Sequence, residues 1–183
     1  TTVAANARLE LQGNIAVSGE TLTLSGSGGT SFFNGALNSK SGSNTWAGPV
    51  ILASTGTRIG AQAGATLVIS GSISSGSGST GLTVRPHDMT STGILSGSNS
   101  YTGATAIIGG VLKLGASNTL PAGTRINLGL AGVSGKLDLN GYNQEISGFG
   151  AISGTTNEIT SSTTATLTVN STTDTAFAAP ITG

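Results

Sequence analysis

Large aliphatic residues recur along the chain as the two ends of short triplets, each with a smaller or polar residue in the middle. In an extended strand, alternate side chains point to opposite faces, so both ends of such a triplet are predicted to enter a core. Leu112 and Leu114 are expected to point inward and Lys113 outward, and triplet 137–139 is expected to do the same. The triplets are LEL at 9–11, LTL at 22–24, LVI at 67–69, LKL at 112–114, LDL at 137–139 and LTV at 167–169.

Many short strands joined by Gly, Ser and Asn turns fit either an antiparallel sandwich or barrel, or a parallel β-helix that coils as a solenoid. The triplets recur after about 20 to 30 residues and have small residues between them, which favours the solenoid because each coil needs only brief strands joined by bends. We therefore predict that residues 1–183 form one all-β parallel β-helix of roughly eight coils, a rod near 40 Å long at the usual strand spacing. This segment is expected to belong to a longer chain or assembly.

One short phrase occurs twice, as SGSNTWAGPV at 41–50 and SGSNSYTGAT at 96–105, and a third, degraded copy lies at 175–183. These copies align Trp46, Tyr101 and Phe177, and a fainter echo contains Phe33. A ring that recurs at one corner can stack on the next coil or cap its narrow interior, so the three are predicted to be structural and mostly buried. The alternative, a carbohydrate-stacking platform, does not need small neighbours around each ring.

Only 8% of the residues are charged and the formal net charge is zero, with lysines and arginines scattered singly. Binding to nucleic acid or to an anionic membrane depends on clustered positive charge, so neither is expected. The chain has no cysteine, which excludes thiol chemistry and thiolate metal sites. No apolar run approaches the roughly 18 residues of a membrane span, so no membrane insertion is expected. The opening TTVAAN has no initiator Met and no signal peptide precedes it, which predicts a mature chain or an excised fragment.

Residues 94–121 read ILSGSNSYTGATAIIGGVLKLGASNTLP. This stretch resembles the autotransporter passenger-associated strand repeat, the autotransporter-associated β-strand repeat. The match continues with less definition to residue 150, and 41–52 and 175–183 are partial copies. The matching positions are Asn99, Ser100, Tyr101, Thr102, Gly103, Thr105, Ile107, Gly110, Leu112, Leu114 and Gly115. The resemblance implies a right-handed parallel β-helix in a secreted or surface-displayed bacterial protein.

The stretch VRPHDMT at 84–90 interrupts the repeats and contains the only His and the only Met. Arg85, His87 and Asp88 could be read as a general base or a metal ligand set. Neighbours on an extended chain point in opposite directions, however, and one His with one Asp is too few for a metal site. We predict an exposed loop between coils, because irregular polar segments usually run over the surface.

Carboxylates are a further candidate chemistry, because parallel β-helices include polysaccharide lyases and hydrolases, which need paired acids on one face. The seven acids of the chain do not fall on neighbouring positions of one face. Lys113 and Asp138 are the middle residues of triplets 112–114 and 137–139. A surface ion pair between them is expected if one coil separates the two triplets. No catalytic, cofactor or metal site is predicted, and we expect no enzyme.

These observations predict a non-enzymatic, extracellular structural segment: a stalk, a surface-display element or a fibre-forming unit. Its expected partner is another copy, through end-to-end or lateral association, or the continuation of its own chain. Two alternatives stay open, an adhesin that binds a glycan or a host or surface protein through loop 84–92, and a polysaccharide-processing enzyme.

Overall fold

The chain folds into a right-handed parallel β-helix of about seven turns. The computed structural model describes residues 1–29, 35–78, 80–154, 156–172 and 177–183. All named strand pairs in these ranges are parallel, and each strand pairs with the equivalent strand one coil away. The solenoid prediction is therefore confirmed and the antiparallel sandwich is wrong. The described residues include no helix with the length and apolar character needed to cross a membrane.

Each coil contributes up to three strands, one on each face of the rod. The first face contains β1 (Thr2–Val3), β4 (Leu22–Leu24), β7 (Val50–Leu52), β10 (Ile73–Ser75), β17 (Gln144–Ile146) and β20 (Leu167–Val169). The second contains β2 (Leu9–Gln12), β5 (Leu37–Ser41), β8 (Thr57–Ala61), β11 (Leu82–Val84), β13 (Thr105–Ile107), β15 (Arg125–Leu128) and β18 (Gly148–Ile152). The third contains β3 (Ala16–Val17), β6 (Ser43–Trp46), β9 (Thr66–Ile69), β12 (Thr92–Leu95), β14 (Val111–Leu114), β16 (Lys136–Asp138), β19 (Glu158–Thr160) and β21 (Ile181–Thr182).

The core is a narrow apolar interior shared by all coils. Leu112, Leu114 and Leu137 have no solvent exposure, as the triplet pattern predicts. Because equivalent strands pair in register, each inward side chain lies directly above its counterpart in the previous coil; Leu137 pairs with Leu112, for example. The side chains thus form continuous columns along the rod, and burying a leucine in such a column contributes about 1.5–3 kcal/mol to stability.

Among the residues that the structure describes, the first face has no strand between β10 and β17, and side-chain amides bridge this break. Asn99 accepts a hydrogen bond from the backbone N–H of Ile73 at 2.7 Å through Oδ1 and donates one to the carbonyl of Thr119 at 2.8 Å through Nδ2. In the following coils, Gln144 accepts from the N–H of Leu120 at 3.0 Å. An unpaired buried backbone group would lower the stability of the fold by about 1–3 kcal/mol. These side-chain amides therefore replace hydrogen bonds that a strand would have made on this face.

At the corner between the third and first faces, glycines of successive coils stack on one another. A Cβ on Gly71 would overlap the backbone carbonyl of Gly48, and a Cβ on Gly97 would overlap that of Gly71. The coils approach here too closely for any side chain, which explains why glycine recurs at this corner.

We expect Gly71→Ala to lower the free energy of unfolding by about 2–4 kcal/mol, because the added methyl group meets backbone that cannot move without displacing a coil. Chemical denaturation measures the difference. The matched control is Gly123→Ala, since a Cβ there meets no atom within 4 Å. That variant should be as stable as the parent or more stable by up to about 1 kcal/mol. Equal stability of both variants would contradict the stacked corner.

Candidate functional site

Trp46 is a core residue of the third face. It is the last residue of β6 and pairs with Val17 in the previous coil and Ile69 in the next. Only 3% of its surface is exposed, so the ring occupies an inward column and is not a surface platform.

Tyr101 lies between β12 and β13 and is also buried, with 1% exposure. Its phenolic oxygen lies 2.6 Å from the hydroxyl oxygen of Thr105, which in turn lies 3.0 Å from that of Thr124 in the next coil. Burial raises the pKa of Tyr101 above its ordinary value, because the phenolate would lose its hydration. Tyr101 is thus a neutral anchor that links two coils.

The predicted burial of Trp46 and Tyr101 is confirmed, but the prediction that they share one corner is wrong. Gly48, two residues after Trp46, stacks with Gly71, whereas Gly103, two residues after Tyr101, packs against the backbone of Gly81. The two phrases therefore occupy different corners. Because the coils differ in the lengths of their loops, two copies of the same phrase do not fall at the same corner of the coil.

Phe177, the third ring, is half-buried and packs against Phe149. The ring centroids are 4.2 Å apart and the planes are tilted by 35°. Residues 175 and 176 of the degraded copy, and Phe33 of the fainter echo, lie outside the described residues. Phe177 therefore helps to cover one end of the core.

We expect Tyr101→Phe to lower the free energy of unfolding at neutral pH by about 1 kcal/mol, since the contact between the two hydroxyls is lost. A group whose pKa is raised on folding stabilises the fold fully below its unfolded pKa, and this contribution is lost as the pH rises above it. The parent should therefore lose stability above about pH 10, the ordinary tyrosine pKa. Urea denaturation at pH 7 and pH 11 should show a smaller loss for the variant. An identical loss would contradict the assignment.

Arg85 is not on the surface, which corrects the prediction of an exposed loop at this residue. Its backbone N–H donates to the carbonyl of Ile59 at 2.8 Å, so the chain still follows the coil below, and only 2% of the residue is exposed. Burial and the positive charge of nearby Arg58 lower the pKa of Arg85. The prediction holds for His87 and Asp88, whose side chains are 37% and 41% exposed.

The carboxylate of Asp88 organises this loop. Its Oδ1 accepts hydrogen bonds from the backbone N–H of Thr90 at 2.9 Å and from the hydroxyls of Thr90 and Ser91. Its Oδ2 lies 3.2 Å from Nδ1 of His87. The bonds from Thr90 and His87 hold the pKa of Asp88 well below its usual range. A carboxylate held in this way is a weak base, and its place in the structure is that of a loop anchor.

A cleft lies beside the loop, where corners of different length stack between the second and third faces. The short corner at Gly109 and Gly110 is flanked by loops 86–91 and 129–135, so the two loops form its walls. Gly110 packs so closely on the loop that a Cβ would overlap the ring of Pro86. The cleft measures about 370 Å³ and is lined by His87, Asp88, Met89, Gly109, Gly110, Gly132, Val133, Ser134 and Thr156.

A second groove, of about 480 Å³, continues from Met89 along the outer surface of the third face. It is lined by Met89, Thr92, Val111, Lys113, Lys136, Asp138, Thr156 and Glu158. Met89 is 45% exposed and lines both depressions. Sequence reasoning missed this surface, because it depends on which corners lie next to each other.

Two ion pairs lie in this groove. Lys113 pairs with Asp138 of the adjacent coil at 3.4 Å, as predicted, and Lys136 pairs with Glu158 of the next coil at 2.8 Å. The bonds from Lys136 and Thr182 lower the pKa of Glu158. Such partly exposed pairs contribute no more than about 1 kcal/mol each. Among the described residues, no group of three or more His, Asp or Glu side chains could hold a metal ion. The groove therefore offers paired donors and acceptors with no net charge.

Comparisons with known protein families, with curated proteins and with solved structures found no match for this chain. The resemblance of residues 94–121 to the passenger repeat therefore stays a prediction from the sequence.

Proposed function

We propose that this chain is a non-enzymatic structural segment, a rigid rod that extends, displays or assembles a bacterial surface protein outside the cell. The observation that supports this proposal is the continuity of the apolar columns and of the bonding between coils. Even where the first face lacks a strand, the amides of Asn99 and Gln144 connect neighbouring coils. A rod needs such continuity along its whole axis.

The length of the rod follows from its backbone geometry. Neighbouring strands lie about 4.8 Å apart, so about seven turns span roughly 35 Å. Each additional coil would add the same rise without a new core, since coils contact only their neighbours. A fold of this kind suits a spacer.

The chemistry of the surface is also consistent with a structural role. Asp88, Asp138 and Glu158 each bond to a neighbouring side chain of the protein. Their bonds stabilise a loop or link adjacent coils. The extracellular location is proposed from the resemblance of residues 94–121 alone.

A surface-display experiment tests the structural role. One or two tandem copies of the chain would be placed between a membrane anchor and an epitope on a bacterial surface, and the height of the epitope above the membrane would be measured by fluorescence energy transfer. The height should rise by roughly 35 Å for each copy, the product of coil number and strand spacing. A height that does not increase with copy number, or cleavage of a polysaccharide by the purified chain, would contradict the proposal.

Glycan binding by an adhesin is our second proposal, and the groove that runs from Met89 along the outer surface of the third face favours it. The groove next to Met89 combines ammonium and carboxylate groups with an apolar patch at Met89 and Val111. Since its two ion pairs balance in charge, it suits a neutral ligand with many hydroxyls, which can donate to Asp138 and accept from Lys113.

Binding to an array of neutral oligosaccharides tests this second proposal. We expect Met89→Asp to weaken binding by about tenfold or more, because a new charge would be desolvated in the groove. The control is Tyr142→Asp, at a residue that is 36% exposed and does not line the groove. If the parent binds no glycan, or if both variants bind as the parent does, the second proposal is wrong.

A further inference from the structure

We propose that the outer surface of the second face binds an acidic polysaccharide through a patch of cations that the coil register assembles. This inference adds a binding surface to the proposed structural role and does not depend on it. The surface lies on a different face from the neutral groove next to Met89. The basic patch consists of Arg8, Glu10, Asn38, Lys40, Arg58 and Arg85.

Lysines and arginines stand singly in the sequence, but the parallel register brings four of the seven together. Glu10 lies opposite Asn38, and Asn38 lies opposite Gly60 in the next coil. Arg85 follows one coil further on, because its backbone N–H donates to the carbonyl of Ile59. Residues that are far apart along the chain thus lie side by side.

The residues of the basic patch point away from the core. Leu37 in β5 and Ile59 in β8 are buried core residues, so their neighbours Asn38 and Arg58 point to the outer side of the sheet. The strands β5, β8 and β11 each pair with a strand on both sides. The patch therefore lies on the side of the rod.

The basic patch has an excess of positive charge. Glu10, the only acid in β2, β5, β8 and β11, has its carboxylate 3.0 Å from Nε of Arg8 and 3.8 Å from Nζ of Lys40. The half-buried side chain of Arg58 makes no hydrogen bond or ion pair with any residue that the structure describes. Burial and the nearby charge of Arg58 lower the pKa of Arg85. Two guanidinium groups thus lie close together, and a bound anion would relieve their repulsion.

Asn38 is an independent sign of a ligand at this place. It is fully buried, and neither its Nδ2 nor its Oδ1 has a hydrogen-bond partner within the described ranges. A Cβ on Gly60 would lie 3.3 Å from Oδ1 of Asn38 and 2.7 Å from the carbonyl oxygen of Arg85, so the amide reaches across Gly60 towards the next coil. An unbonded buried amide destabilises a fold by about 1–3 kcal/mol. An oxyanion held by the two arginines would accept from Nδ2.

The mixture of donors and acceptors identifies the chemical class of the ligand. Guanidinium groups bind oxyanions with two parallel hydrogen bonds, whereas the carboxylate of Glu10 and Oδ1 of Asn38 accept from hydroxyl groups. A polysaccharide that carries carboxylate or sulfate groups presents both kinds of group side by side. The backbone of duplex DNA offers oxyanions without hydroxyl groups. An anionic membrane is disfavoured because none of the exposed large apolar residues of the described chain belongs to β2, β5, β8 or β11.

The extent of the basic patch suits a polymer. Its residues belong to four successive coils, and at a strand spacing of about 4.8 Å the first and last of these coils lie roughly 14 Å apart. An extended chain that lies along the rod can therefore contact Arg8, Lys40 and Arg58 with successive sugar units.

Isothermal titration calorimetry with polygalacturonate and with dextran sulfate tests the inference, and plain dextran serves as the neutral polymer. The parent should bind at least one of the two charged polymers, more weakly as salt is added. Binding of polygalacturonate alone would identify carboxylate as the ligand group, and binding of dextran sulfate alone would identify sulfate.

We expect Arg58→Gln to lower the association constant for the bound polymer by about tenfold or more, because a charged hydrogen bond is lost. Arg125→Gln is the matched control. It removes the same charge from the same face, but Arg125 lies outside the patch and donates to the carbonyl of Phe149. This control should bind as the parent does, and circular dichroism checks that both variants fold.

Asn38→Leu separates binding from folding. Replacing an unbonded buried amide by an apolar group of similar size should leave the free energy of unfolding unchanged or raise it. Polymer binding should nevertheless weaken, since the donor to the oxyanion is gone. Parental affinity in this variant would overturn the assignment of Asn38 to the ligand.

Other outcomes would overturn the inference as a whole. Failure of the parent to bind either charged polymer would refute the site. Equal losses in Arg58→Gln and Arg125→Gln would show a diffuse effect of charge, and equally tight binding of duplex DNA or of phosphatidylserine vesicles would exclude selection of a polysaccharide. None of these results bears on the height of the displayed epitope or on neutral glycans in the groove, which test the proposed functions separately.

Discussion

The backbone of each coil can satisfy its hydrogen bonds only through the coils above and below it, and the rest of the structure follows from this dependence. A coil alone has no partner for its N–H and C=O groups, so successive strands must pair in register. That register places inward side chains in columns and brings corners into contact. It explains the stacked glycines at Gly48, Gly71 and Gly97 and the amides of Asn99 and Gln144 where the first face lacks strands.

Surface features arise where successive corners differ in length, because the strands of the second and third faces stay paired from coil to coil. The two-glycine corner at Gly109 and Gly110 lies between loops 86–91 and 129–135, and this difference in length creates the cleft. The hydrogen bonds of Asp88 with Thr90 and Ser91 hold loop 86–91, one wall of the cleft, in a fixed shape. Ligand-binding surfaces of a solenoid can therefore change without any change in the core beneath them.

The sequence was sufficient to predict what depends on local alternation. It predicted the inward and outward residues of the triplets, the parallel coil and the pairing of Lys113 with Asp138, because one repeat length separates these two residues. It did not predict that Trp46 and Tyr101 lie at different corners, because the loops that precede the two residues differ in length. The burial of Arg85 and the groove beside Met89 depend on neighbouring coils, so no local sequence pattern indicates them.

The amide bridges of the first face have a mechanical consequence. A pull along the axis loads the bonds between two coils at the same time, on all three faces. Between β10 and β17, the first face resists such a load partly through single side chains, and the bonds of Asn99 to Ile73 and Thr119 are two of these links. Side chains can rotate away after one bond breaks, whereas strand backbones cannot. Rupture under tension would therefore start on this face, in the middle of the rod, and leave the two flanking blocks of coils intact.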